Sequence, residues 1–297
     1  MLPLHAGPLP DAAQPLARVK ARARTGSIEI AYDDLGAGDR PLVLLHGFFA
    51  SRDDWHDLLP RLAAHGRTLA LDLPGHGESG RFAKAADYTV ERLADRVIGF
   101  LDALGVERCD VVGHSLGALV ARALAIRHPA RVASLLLMST SVRPLEGAPR
   151  GVYEGAARIV RDAGIVAFYE IGRAAVERSV TRPSVARSIR RMGAERYWRR
   201  VRTNLLAIDI QAFPPLVRCL VDGPDCADRL GEITCPTTVI ACGEDEPFQV
   251  ECEALAARIP GARLVRIADA AHSPHIEHEA AWLDAVSRHL RWARGGA

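Results

Sequence analysis

The chain predicts an α/β fold, a mostly parallel eight-stranded sheet flanked by helices, and three observations carry that reading. Short, nearly continuous apolar runs recur along the sequence, stretches with helical periodicity lie between them, and one long segment without a strand run interrupts the alternation. Strands covered on both faces of a parallel sheet need apolar side chains at every position, whereas a half-exposed strand would alternate.

The elements follow in order. After a Pro-rich leader, ARVKARAR and SIEIAYDDLG are two extended segments around Thr25 and Gly26, the pattern of a β-hairpin. Then come the runs PLVLLHG (41–47), RTLALDL (67–73), CDVVGHS (109–115) and VASLLLMST (132–140). Helices are expected over 54–65, 89–104 and 116–128, the last two stopped by Gly105 and by His128-Pro129. The alternation resumes with PTTVIACG (236–243), a helix near 248–259, ARLVRIAD (262–269) and a C-terminal helix from about Ile276. Residues 143–230 show amphipathic helical stretches with proline breaks. They read as a helical cap inserted into a core made of 1–142 and 231–297.

Bulk composition narrows the function classes. In 297 residues, 48% hydrophobic and 25% charged, a sizeable core is available and one catalytic domain is the default. A net charge of +2, with no dense basic run flanking aromatics, predicts no nucleic-acid partner. The prolines of MLPLHAGPLPDAAQPL break any apolar stretch, so no signal peptide or membrane span is expected. Cys109, Cys219, Cys226, Cys235, Cys242 and Cys252 form no CxxC pair, and several lie in apolar runs, which suits a reducing cytoplasm. No cofactor is expected, and the sequence sets no oligomeric state.

Gly113-His114-Ser115-Leu116-Gly117 directly follows an apolar strand and precedes a helix. That is the setting of a nucleophile elbow, where a serine sits on a sharp, strained turn and flanking glycines admit neighbouring backbone. A serine hydroxyl needs a base, expected late in the chain after the last strand, and His272 stands there in ADAAHSPHIEHEAAW. His275 and His278 follow at three-residue spacing, which raises a three-histidine metal site as an alternative. Position favours His272 as the base and leaves the other two as helix-start or surface residues. An oxyanion would meet the amides of Leu116, at the start of the helix after the elbow, and Phe48 in LHGFF. The carboxylate that orients the imidazole belongs on the loop after 236–243, which offers Glu244, Asp245 and Glu246.

Together LHGFF, DLPGHGES, GHSLG, GEDEPF and AHSPHIE resemble the serine-nucleophile branch of the α/β-hydrolase superfamily, over about residues 25–292. The resemblance implies a catalytic triad. Its usual spacing after the strand-ending glycine selects Glu246 as the acid, whereas counting from Pro247-Phe248 selects Asp245, which we favour. The turn Asp72–Ser79 is structural by the same resemblance, with His76 a minor candidate for touching substrate. Relatives that act on epoxides or haloalkanes carry aspartate at the elbow, so Ser115 points to acyl chemistry, with hydrolysis of a small-molecule carboxylic ester or lactone as the leading expectation. The stretch 44–80 is also similar to C–C hydrolases and to a menaquinone-pathway lyase, whose relatives carry an arginine soon after the elbow; Arg122 is its candidate counterpart. A catalytically silent small-molecule binding module is the alternative from another class. Residues 143–230 hold sixteen arginines against ten carboxylates. Either they decorate solvated helix faces or one or two point inward to take a substrate carboxylate.

Overall fold

A computed structural model describes residues 19–177, 183–223, 225–246 and 248–295 of the protein; most of the Pro-rich leader lies outside them. The strands are β1 (Val19–Thr25), β2 (Ile28–Leu35), β3 (Leu42–Leu45), β4 (Thr68–Leu71), β5 (Cys109–His114), β6 (Val132–Met138), β7 (Thr237–Cys242) and β8 (Arg263–Ile267). They form one sheet in the order β1-β2-β4-β3-β5-β6-β7-β8. Only β2 runs against its neighbours. Thr25 pairs with Ile28 across a two-residue turn in which Gly26 takes φ +62°, a conformation that suits glycine and closes the hairpin. β3 to β7 are buried at every position, as their unbroken apolar runs require. β8 lies at the sheet edge and exposes Arg263 and Arg266, charges that discourage pairing with another chain.

Helices cover both faces. α1 (Leu59–Ala63), α2 (Val90–Ala103), α3 (Leu116–Arg127), α4 (Gly147–Glu177), α5 (Pro183–Met192), α6 (Ala194–Leu206), α7 (Phe213–Val221), α8 (Phe248–Arg258), α9 (Pro274–Glu277) and α10 (Glu279–Ala293) follow in chain order. Leu93 and Phe100 of α2, Val120 of α3 and Leu255 of α8 build one core with the inserted helices. Leu59 and Leu62 of α1 with Trp282 and Val286 of α10 build the other. The single helix expected over 54–65 is instead a 3-10 turn, Arg52–Trp55, followed by the short α1. Pro60 has no N–H to donate back into the preceding turn, so a helix can only restart with it in the first turn. No described helix is long and apolar enough to cross a membrane.

Between β6 and β7 the regular elements among the described residues are α4 to α7 and a 3-10 turn at Ala227–Glu232, with no strand; α4 is broken at Gly164. These helices dock onto the rest of the chain partly through arginines. Arg187 pairs with Glu244, Arg191 with Glu279, Arg196 with Asp57 and Arg200 with Asp54.

At the opposite end of β5, the fully buried Asp110 accepts hydrogen bonds from Arg40 (Nε, 3.0 Å), Arg294 (Nε 3.0 and Nη2 2.8 Å) and Ser134 Oγ (2.6 Å). His289 completes the group, with Nε2 3.0 Å from Ser134 Oγ and Nδ1 2.9 Å from Thr238 Oγ1. Removing the carboxylate strands two guanidinium groups against the sheet. Asp110→Ala is therefore expected to lower the unfolding free energy by about 3 kcal/mol, read from urea titration; a loss within error would show that the network carries no stability.

Candidate active site

Ser115 sits where β5 turns into α3, with φ 52° and ψ −115°. This left-handed geometry is strained for a residue with a side chain and persists only when the surroundings enforce it. Its N–H donates to Met138 O at 3.0 Å. A Cβ on Gly113 would lie 2.6 Å from Ala118 Cα and from Gly117 O, and one on Gly117 would collide with the Leu45 carbonyl. Both glycines are thus demanded by backbone approaching backbone.

Two further loops meet this turn. His272, after β8, places Nε2 3.2 Å from Ser115 Oγ. Its Nδ1 lies 2.9 and 3.2 Å from the two carboxylate oxygens of Asp245, after β7. Of the three carboxylates on that loop, only Asp245 is buried against the imidazole. Glu246 is exposed and Glu244 pairs with Arg187. Glu244 N donates to Ala270 O at 2.9 Å, tying the two loops together, and His114 Nε2–H donates to the His272 carbonyl at 2.7 Å.

The amides expected for an oxyanion lie on either side. Leu116 opens α3, so its N–H is one of the donors a helix leaves without an intrahelical acceptor. Phe48 lies on the loop after β3, and two buried imidazoles shape that loop. Leu73 N–H donates to His46 Nε2 (3.0 Å), which puts the ring proton on Nδ1, where it donates to Gly47 O (2.7 Å). His76 Nε2–H donates to Phe48 O at 2.8 Å. His76 is fully buried and does not line the cavity, so it supports the loop and does not reach substrate space. Burial pushes His46 down to about 4 and His76 to about 3.

The three loops open onto a cavity of about 530 Å³ roofed by α4, α5 and α6, with Val152, Tyr153, Val185, Met192, Tyr197 and Val201 among its lining. Asp54 and Asn204 also line it, and the sequence reading missed both, because nothing in their local spacing marks them. Asp54 Oδ1 accepts from Arg200 Nε (3.1 Å) and from Asn204 Nδ2 (3.0 Å), with Arg200 Nη2 ion-paired to the same oxygen at 2.8 Å. Burial alone would raise its carboxyl; Arg200 and the facing His275 hold it well below the usual carboxylate range.

His275 departs from the expectation of a helix-start or surface residue. It does lie in α9, but it is 1% exposed, packed on Trp55 (4.7 Å between centroids) and His114 (4.8 Å), with Nε2 3.8 Å from Asp54. No cluster of metal-ligating side chains occurs among the described residues. Arg122 is buried away from the cavity, where it donates to Ser141 O at 2.6 Å.

The α/β-hydrolase fold family profile matches residues 40–279. The chain is 31% identical over 261 residues to the pimeloyl-[acyl-carrier protein] methyl ester esterase of Neisseria meningitidis serogroup A (strain Z2491), covering 82% of this chain and 74% of that one. It is also 39% identical over 121 residues to the dihydrolipoyllysine-residue acetyltransferase component of the Pseudomonas putida acetoin cleaving system, 40% of this chain but 32% of that one. The chain thus spans about a third of the length of the first curated relatives it matches. Among solved structures, the enol-lactonase of Burkholderia xenovorans LB400 superposes with a TM-score of 0.76 at 26% identity, over 91% of this chain and 99% of that one.

Five imidazoles, those of His46, His76, His114, His275 and His289, are held neutral chiefly by burial. Their folded pKa values lie below the unfolded value of about 6.5, so below that pH the unfolded state binds more protons. Their stabilisation is complete above about pH 6.5 and is lost progressively as pH falls below it, by up to about 1.4 kcal/mol per pH unit for each group. Urea unfolding at pH 7, 6 and 5 should show this decline, and His289→Gln should flatten the slope by as much as one proton. Equal stability at the three pH values would contradict the burial argument.

Proposed function

The chain belongs to the α/β-hydrolase family, and from that membership and the geometry at Ser115 we propose that it is a serine hydrolase cleaving a carboxylic ester or lactone of a small molecule through an acyl-enzyme. The observation that carries the reading is the continuous contact from Ser115 Oγ through both ring nitrogens of His272 to Asp245, assembled from three separate loops. It is supported by the ester-hydrolysing relative and the lactonase structure.

In this mechanism Ser115 Oγ attacks the carbonyl carbon while its proton passes to His272 Nε2. Asp245 keeps the Nδ1 proton in place and stabilises the imidazolium. The Phe48 and Leu116 amides take the charge that develops on the carbonyl oxygen. Collapse of the tetrahedral intermediate expels the alkoxide, which leaves as the alcohol with the Nε2 proton. A water, deprotonated by His272 in turn, then attacks the acyl carbon, and the acid departs as Ser115 recovers its proton. We further propose that 143–230 acts as a cap over a core of 1–142 and 231–297, since α4 to α6 supply much of the cavity roof. Arg122, the arginine resembling that of the lyases, does not line the cavity, which takes away the residue that would have favoured the lyase alternative.

A fluorophosphonate should label Ser115 covalently, whereas a silent binding module would take no label. Ser115→Ala should lower kcat by about 10⁴ to 10⁶ with the fold retained, and residual activity above a tenth of the parent would remove Ser115 from the role. Asp245→Asn should lower kcat by about 10⁴, and Glu246→Gln should leave it nearly unchanged. The reverse ranking, measured by steady-state kinetics on p-nitrophenyl esters, would move the acid to Glu246.

A further inference from the structure

The excess of arginine in the inserted helices does not become positive charge in the cavity. Arg187, Arg191 and Arg196 are spent on Glu244, Glu279 and Asp57. Among the described lining residues Arg200 is the one arginine or lysine, and its charge is met by Asp54. Glu244 is met by Arg187, and Asp245 and Glu246 also line the cavity, so its balance is still negative.

Arg200 is nevertheless built to hold a ligand group. Its Nε donates to Asp54 Oδ1 and its Nη2 is ion-paired with the same oxygen, which also accepts from Asn204 Nδ2. Asn204 Oδ1 in turn accepts from Ser51 Oγ at 2.8 Å. Asp54 and Asn204 are both buried, so the guanidinium plane is set before any ligand arrives. These contacts leave the Nη1 donors uncommitted among the described residues. Phe48, Phe49, Val201 and Ile276 line the same cavity and carry no side-chain acceptor.

Resting on the hydrolase reading above, we propose that Arg200, held by Asp54 and Asn204, is a specificity determinant that receives an uncharged oxygen acceptor of the substrate, such as a ketone, amide or lactone carbonyl placed apart from the scissile bond. A carbonyl oxygen takes one Nη1 donor without displacing Asp54. A substrate carboxylate at the same Nη1 would add a second negative charge to a guanidinium that Asp54 already neutralises, in a cavity that also holds Asp245. An alkyl group of the same shape dries the donors and leaves them unpaired. This reverses the anionic preference that the arginine count alone suggests.

The test uses p-nitrophenyl esters matched in length: 4-oxopentanoate, 4-methylpentanoate and hemisuccinate, with 3-oxo, 5-oxo and 6-oxo acids to find the best carbonyl position. At that position the ketone should exceed the alkyl ester about five- to tenfold in kcat/KM, and the carboxylate should rank last. Arg200→Gln combined with Asp54→Asn removes both charges and leaves no lone buried carboxylate; its thermal transition checks folding, and its ketone-to-alkyl ratio should fall to about one. Arg200→Lys, which keeps the charge but loses the planar fork, should retain only part of the ratio. The N-butyl amides of the same acids, titrated calorimetrically into Ser115→Ala protein, read the subsite without turnover and should bind in the same order. The alkyl or carboxylate ligand leading at every position, or a ratio unmoved in the folded double variant, overturns the proposal. Ranked amide binding with no ester turnover and no label on Ser115 would support the subsite and overturn the hydrolase reading alone.

Discussion

The site depends on a steric constraint before it depends on any charge. Ser115 can hold its left-handed backbone because Gly117 lets α3 come against the Leu45 carbonyl and Gly113 lets β5 pass under Ala118. That close packing joins β3, β5 and the start of α3 into one rigid corner, with β6 attached through Met138 O. The hydroxyl, the first-turn amide of α3 and the loop bearing Phe48 inherit their positions from it. Stored strain of this kind is tolerable because β3, β5 and β6 are among the most deeply buried strands of the sheet.

Around that corner lies an unusual amount of buried imidazole. His46 and His76 hold the Phe48 loop, His114 holds the carbonyl of His272, and His275 fills the space between His114 and Asp54. A neutral imidazole suits this work, since it can donate from one nitrogen and accept at the other, as His46 does, and the rings are flat enough to pack against Trp55 and Phe48. The same choice ties the architecture of the site to acidity, because each ring must gain a proton when the chain unfolds in acid.

Much of this was legible in the sequence because the signals are local. The unbroken apolar runs announced the buried strands, the hairpin was marked by Thr25 and Gly26, and the elbow could be read from five consecutive residues and their flanks. Position after β8 singled out His272, whose ring the structure places against Ser115. What local pattern could not decide was settled by turn geometry or by distant partners. Asp245 and Glu246 are neighbours, and which one faces the imidazole depends on how the chain leaves β7, where Asp245 N turns back to Cys242 O. The helix read over 54–65 followed periodicity and ignored the missing N–H of Pro60. The fate of the arginines was invisible for a different reason: the carboxylates that take Arg187, Arg191, Arg196 and Arg200 lie far away along the chain. His275 likewise reads as a surface residue until Trp55, His114 and Asp54 are brought to it from elsewhere in the chain.

The loop after β3 carries both Phe48 and Asp54, six positions apart on one short turn. On the proposed reading the first contacts the reacting carbonyl and the second sets the arginine that meets the remote acceptor. A single stretch of backbone therefore acts as a ruler, fixing the spacing between the two points at which a substrate is gripped. Inserting or deleting a residue there would recalibrate the preferred distance between the two polar groups while leaving Ser115, His272 and Asp245, which stand on other loops, in register with one another.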